Sequence, residues 1–289
     1  MRPFEEPFIP SDQPGWESLT VFLCDPPIRA KYTTLFLSLH GGASEDGTLQ
    51  AQLEELHYAF TGSGSDASAR AFNKARAKEY VRAQQVRTAD SLVLSLDDPA
   101  FGSRIHESVE QWQRVVLKPR DSGSSDGLAI IRAMNEVVPA LELLARRQPE
   151  PYIIEQYLSG RELTVGVIEQ ADGSMTILPP SEIEITENAT FDYAGKYLGK
   201  GSREITPAVL TPAQTEAVQD LARRAHQALG CRGYSRTDII LTSNGPYFLE
   251  TNTLPGLTTA SFIPQQLAAA GIAFGDFLEE QCRLSRKQR

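Results

Sequence analysis

Two short segments near the carboxyl end carry side chains suited to phosphate chemistry. They are Arg236-Thr237-Asp238 and, after an apolar run and a turn, Glu250-Thr251-Asn252, with Leu254-Pro255-Gly256 close behind. In YSRTDIILTSNGPYFLETN, Ile239, Ile240 and Leu241 are set to meet Tyr247, Phe248 and Leu249 across the turn Ser243-Asn244-Gly245, which predicts a β-hairpin. Such a hairpin puts Asp238 near Glu250. Paired carboxylates repel and resist burial unless a cation lies between them, and Mg2+ takes oxygen ligands shared with substrate phosphates. Arg236 stands two positions before Asp238, on the same face of its strand, where a guanidinium can hold a transferring phosphoryl group or a developing oxyanion. In isolation the same residues would also make an ordinary exposed ion-pair cluster.

A second constellation is Val115-Val116-Leu117-Lys118-Pro119, an apolar strand ending in a lysine just ahead of the Gly/Ser loop Asp121 to Gly127. A lysine entering a low-dielectric site needs an anion, and such a loop offers backbone N–H groups and hydroxyls to phosphate oxygens; Gly/Ser loops are also often plain turns. The strand Tyr152 to Leu158 ends in Glu155 and exposed backbone, followed by Ser159-Gly160-Arg161-Glu162, a place to read an adenine edge or equally an edge strand.

Positioning these groups requires sheets. Residues 1 to about 34 are Pro-rich, with a strand candidate at Thr20 to Cys24. A strand at Thr34 to Leu39 runs into His40-Gly41-Gly42, and a helix is expected from Thr48 to Tyr58, which makes an α/β unit. An Ala-rich helical stretch spans Asp66 to about Gln84. Strands are expected at Ser91 to Leu96, Arg114 to Leu117, Tyr152 to Ile154, Glu162 to Ile168 and Met175 to Leu178, an α+β texture. Pro212 to Leu229 reads as an amphipathic helix opened by Thr211 and closed at Gly230, and helices at about Phe262 to Ala270 and Phe274 to Cys282 end the chain.

At 289 residues the chain can bury a core in two or three domains, and its net charge of −9 argues against nucleic acid as a partner. No apolar run has transmembrane length and MRPFEEPFIP does not read as a signal peptide, so the cytosol is expected. Cys24, Cys231 and Cys282 are widely spaced and fit reduced thiols. His106 and His226 read as surface or packing residues.

The ordered set LKP, GSS.G, IIEQYLSGRELTV, FDYAGKYL, GCRGYSRTDIIL and FLETNTLPGLT resembles the ATP-grasp ligases and, within them, the D-alanine–D-alanine ligases, over about residues 34 to 282. The resemblance implies a three-domain ATP-grasp architecture, α/β and α+β, with a truncated amino-terminal α/β domain: residues 1–66 for substrate, 67–158 the central subdomain and 159–289 the subdomain with the metal site. By matched position it gives Lys74, Lys118 and Lys196 to the nucleotide phosphates, Glu155 and the backbone at Leu158 to adenine, and Glu162 to ribose. Asp238, Glu250 and Asn252 would hold two Mg2+, or Mn2+ in their place. Arg236 and the backbone at Gly256 would stabilise a tetrahedral intermediate, and His40 matches a histidine near the acyl phosphate. Glu45 would meet the first substrate, although it also reads as a helix N-terminal acid. Tyr197 and Ser124 would orient that substrate, and Ser261 with Phe262 would line the pocket of the second amino acid.

What this implies is an ATP-dependent ligase that joins two amino acids, D-alanine first among them, in peptidoglycan precursor synthesis, frequently as a homodimer. The family normally opens with a strand and a Gly-rich turn carrying a glutamate for the donor's ammonium group; here about 33 residues precede the LFLSLHGG strand and no GG.S.E segment occurs. That departure leaves open a related dipeptide or amide ligase with a changed donor pocket, or a degenerate nucleotide-binding regulator.

Overall fold

The computed structural model describes residues 34–39, 41–122, 127–148, 150–185 and 202–287, with Leu23 and Asp25. The chain divides into residues 1–33 and 34–289, and the strands among the described residues lie in the second unit. Of the strand expected at Thr20 to Cys24 just Leu23 is described, and it is helical.

Strand β1 (Thr34–Leu35) pairs in parallel with β2 (Ala59–Phe60) across helix α1 (Thr48–Glu55), the expected α/β unit. The ladder is shorter than the apolar run Thr34 to Leu39 suggests, because β2 offers just two residues to pair with. Helices α2 (Ser65–Phe72) and α3 (Lys74–Ala83) replace the single helix expected there. The break falls at Asn73, whose backbone is extended and whose side chain accepts from Arg76 N to cap α3. Its physical cause is a competing partner: Asn73 bridges to Asp121, and Lys74 N donates to Arg120 O at 3.1 Å. The kink thereby sets Lys74 beside the end of the Lys118 strand.

Two antiparallel sheets come next along the chain. The first has four strands in the order β3-β6-β4-β5. These are β3 (Ser91–Ser95), β4 (Val115–Pro119), β5 (Ala129–Ile131) and β6 (Pro151–Gln156). Val115, Leu117, Tyr152 and Ile154 face a core under α4 (Phe101–Trp112) and α5 (Val137–Leu144). Strand alternation turns Val116, Lys118, Ile153 and Glu155 to the opposite face.

The second sheet has six strands, running β10-β9-β7-β11-β12 with β8 also on β7. They are β7 (Arg161–Glu169), β8 (Met175–Ile177), β9 (Ser181–Ile185), β10 (Ser202–Ile205), β11 (Tyr234–Thr242) and β12 (Gly245–Asn252). One face, with Leu163, Val165, Val167, Ile239 and Phe248, packs on α6 (Pro212–Leu229) and on Ala77 and Val81 of α3. Helix α6 starts with the Thr211/Gln214 capping box and stops at Gly230 in the left-handed region, as its sequence indicates.

On the other face Ile168 and Tyr234 pack under α7 (Phe262–Ala269) and α8 (Phe274–Arg286). The lock between α7 and the sheet is Gln266, which is fully buried. Its Oε1 accepts from Gly166 N at 2.9 Å, and its Nε2 donates to Thr164 O at 2.9 Å and Ser181 Oγ at 3.0 Å. A Cβ at position 166 would lie 2.8 Å from Gln266 Oε1 and 2.7 Å from Ile263 Cδ1, so both side chains would have to shift to admit one. Gln266→Leu keeps the volume but strands a backbone N–H and a carbonyl, so urea unfolding should show a loss of about 3 kcal/mol. A loss below about 0.5 kcal/mol, the range of ordinary surface changes, would contradict the lock.

Candidate active site

The two sheets face each other across a cleft of about 510 Å³. One wall is Val116, Lys118, Ile130, Glu155 and Gln156; the other is Arg161, Glu162, Glu182, Ile183, Ile240 and Leu249, with Tyr157, Leu158 and Gly160 joining them at one edge. A lining that combines apolar side chains with charged ones suits a flat ring carrying a polyanion.

Within the hairpin, Asp238 lies opposite Glu250 and Arg236 opposite Asn252, so all four share one face, as the alternation requires. Thr237 and Thr251 share the other, their hydroxyls 2.9 Å apart. The pairing shifts by one residue between Asp238 and Ile239, which sets Ile239 opposite Phe248 and leaves Leu249 as a bulge. Phe248 therefore stays in the core while Leu249 lines the cleft.

Arg236 grips Asp238 in a two-pronged pair, Nε to Oδ1 and Nη2 to Oδ2, each 3.0 Å. Thr164 Oγ1 donates to the same carboxylate at 2.6 Å. The guanidinium carbon stands 5.7 Å from the Phe262 ring centroid, which brings a residue expected in the acceptor pocket against one expected at the reacting carbonyl. Ser261 caps α7 by position, its hydroxyl 2.9 Å from that of Thr258, and Gly256 lies in the loop between β12 and α7. Asn252 Oδ1 accepts from Leu254 N at 2.8 Å, an Asx turn that starts that loop.

The lysines converge from the other side. Lys118 Nζ is 2.7 Å from Glu155 Oε2, and Lys78 Nζ donates to Glu155 Oε1. Lys74 Nζ donates to Ser122 O and lies 3.8 Å from Glu250 Oε2, which ties α3 to the hairpin. Burial pushes the Lys74 ammonium below its ordinary value, against the pull of Glu250. Burial alone would raise the Glu155 carboxyl, but Lys118 and Lys78 outweigh it and hold the group below the usual carboxylate range.

Glu45 is buried, accepts from Gly41 N at 3.0 Å, and shares a small recess with Lys74, Ser122, Glu250 and Asn252. Gly41 is the N-cap of the short 3-10 turn Gly42–Ser44, so Glu45 meets a helix start there, while Asp46, just ahead of α1, accepts from Thr48 N at 2.8 Å. His40, Ser124, Lys196 and Tyr197 lie outside the described residues. His226 is fully buried and meets Ser235 Oγ at 2.7 Å, so it packs rather than lying at the surface. Sequence reasoning missed Lys78, whose signal was its spacing of four from Lys74 on one helix, and the acids Glu182 and Glu184 on the cleft wall.

Among the described residues no cluster of three or more His, Cys, Asp or Glu could hold a metal. The oxygen donors available are two carboxylates and one amide, a set that fits a hard cation sharing its remaining positions with phosphate.

Known proteins give the same picture. The family model described as D-ala D-ala ligase C-terminus matches residues 93–282. The D-alanine--D-alanine ligase of Syntrophobacter fumaroxidans is 38% identical over 259 residues, 88% of this chain and 81% of that protein. D-alanyl-alanine synthetase A from Vibrio cholerae superposes with a TM-score of 0.78 at 29% identity, covering 89% of this chain and 77% of the other. A Bacillus anthracis D-alanine--D-Alanine ligase complexed with ATP gives 0.73 at 26% identity, covering 90% and 83%. With the paired sheets, the cleft between them and the Arg236/Asp238/Glu250/Asn252 hairpin in place, the chain belongs to the D-alanine–D-alanine ligase family of ATP-grasp enzymes.

Proposed function

We propose that the protein is an ATP-dependent ligase that joins two D-alanine molecules for peptidoglycan precursor synthesis. The observation that carries this reading is the register of the hairpin, which gathers Arg236, Asp238, Glu250 and Asn252 on one face. Adenine lies in the cleft near Glu155 and the Leu158 backbone, with ribose at Glu162 and phosphates toward Lys118, Lys74 and Lys196. Asp238, Glu250 and Asn252 hold Mg2+, two ions by family resemblance and replaceable by Mn2+. The metal, when bound, neutralises phosphate charge.

A carboxylate oxygen of the first D-alanine, placed near Glu45, attacks the γ-phosphorus; the bond to the β-phosphate oxygen breaks and ADP leaves. The free amine of the second, held near Ser261 and Phe262, attacks the acyl phosphate carbon and loses a proton to solvent as inorganic phosphate departs. Arg236 and the Gly256 backbone N–H meet the charge that develops on the carbonyl oxygen. By resemblance His40 stands near the acyl phosphate, and Tyr197 and Ser124 orient the first substrate. No protein nucleophile takes part.

The work is done in the cytosol; among the described residues no helix is long and apolar enough to cross a membrane. We assign a homodimer on the family pattern. The test is phosphate release from ATP and Mg2+ across a panel of D- and L-amino acids, with mass spectrometry of products. Turnover with D-alanine alone, giving the dipeptide, is expected; turnover only with other amino acids would overturn the D-alanine assignment.

A further inference from the structure

Helix α3 sends a second lysine inward one turn beyond Lys74. Lys78 is 2% exposed and donates to Oε1 of Glu155, the carboxylate whose Oε2 lies 2.7 Å from Lys118 Nζ. Lys118 and Glu155 line the cleft, whereas Lys78 is not among its lining residues. The cluster is thus two ammoniums around one carboxylate, with Lys118 on the cleft lining and Lys78 not part of it.

Charge counting shows what that arrangement does. A buried Glu155 facing Lys118 alone would form a neutral pair, and an incoming phosphate would compete with the carboxylate for the same ammonium. A second cation on Glu155 leaves the trio with a net positive charge and divides the carboxylate's attention, one oxygen to each lysine. We infer that Lys78 is a positioning residue for nucleotide binding: by engaging the other oxygen of Glu155, it leaves Lys118 with positive charge for the phosphates. This rests on the proposed nucleotide site and adds a residue that acts through Glu155 without touching the ligand.

Burial lowers the Lys78 ammonium to about 8, against the pull of Glu155. The groups facing it are Glu155 from β6, Lys118 from β4 and Arg82 on its own helix. Loss of its proton above that pH removes the second cation, and ATP affinity should fall with it.

The test is direct binding of ATP, with Mg2+ present, to the full chain and to Lys78→Met and Lys78→Arg from pH 7 to 9.5. Lys78→Met should weaken ATP binding about tenfold at pH 7, as expected when a charge-assisted contact is lost, with kcat at saturating ATP changed less than about twofold. Lys78→Arg should bind as tightly as the parent at pH 7 and hold its affinity above pH 8, where the parent weakens. A purely structural role would lower the melting temperature of Lys78→Met yet leave its ATP affinity within twofold of the parent, and that result overturns the inference. If Lys78→Met does not fold, Lys78→Arg decides: an alkaline loss of affinity as steep as the parent's excludes Lys78 as its source. Absence of ATP binding by the parent chain would instead sink the nucleotide reading itself.

Discussion

Arg236→Met should lower the rate of dipeptide formation at saturating substrates by roughly 100- to 1,000-fold, the usual cost of losing one donor to a developing oxyanion. Its side chain is well prepared for that role. The fork is fixed by two 3.0 Å bonds to Asp238, and Phe262 lies 5.7 Å from its central carbon, so little freedom remains to be lost in the transition state. Lys118, Glu155 and Glu162, proposed to hold the nucleotide, stand on β4, β6 and β7 rather than on the strand of Arg236, so KM for ATP should move less than kcat. Arg236→Lys keeps the charge and loses the planar fork, and it should recover part of the rate. Steady-state kinetics of both variants are the check; a kcat within tenfold of the parent for Arg236→Met would remove Arg236 from the reacting carbonyl.

Glu250→Gln should cut kcat/KM for ATP by roughly 100-fold at fixed magnesium, because one of two carboxylate donors becomes a neutral amide. The substitution is close to isosteric, and Glu250 is 37% exposed with Lys74 3.8 Å away, so the fold should survive it. Two readouts separate metal binding from general damage. The magnesium concentration for half-maximal rate should rise in the variant, and the thermal stabilisation that ATP gives should depend on magnesium in the parent but hardly at all in Glu250→Gln. Equal stabilisation of both proteins by ATP with magnesium would show that this carboxylate does not hold the ion.

The hairpin and the helix Pro212–Leu229 were legible because local signals agree with their tertiary roles: alternation and a tight turn in one, a capping box and a terminal glycine in the other. The strand Ser181–Ile185 was not, since Glu182 and Glu184 depress strand propensity and make sense just as polar lining of a cleft. The helix break at Asn73 was hidden for a similar reason. Its cause is pairing with Asp121 and Arg120, residues far along the chain, and no local pattern announces it. For the site, the residue types of Arg236, Asp238, Glu250 and Asn252 carried their own chemistry, whereas the spacing of Lys78 from Lys74 gains meaning only with its carboxylate partner on another element.

The bulge at Leu249 also sets the grain of the cleft. In a regular strand, side chains on one face recur every second residue, about 6.8 Å apart, so a change from apolar to charged surface would be spread over that interval. Here consecutive residues both turn to the same face: Leu249 lines the cleft, while Glu250 stands opposite Asp238 and lines the recess it shares with Lys74. The step from the cleft lining to the recess that holds Glu250 therefore falls across a single peptide bond. A substitution at one of the two positions would thus act on its own side of that step and leave the other side chain in place.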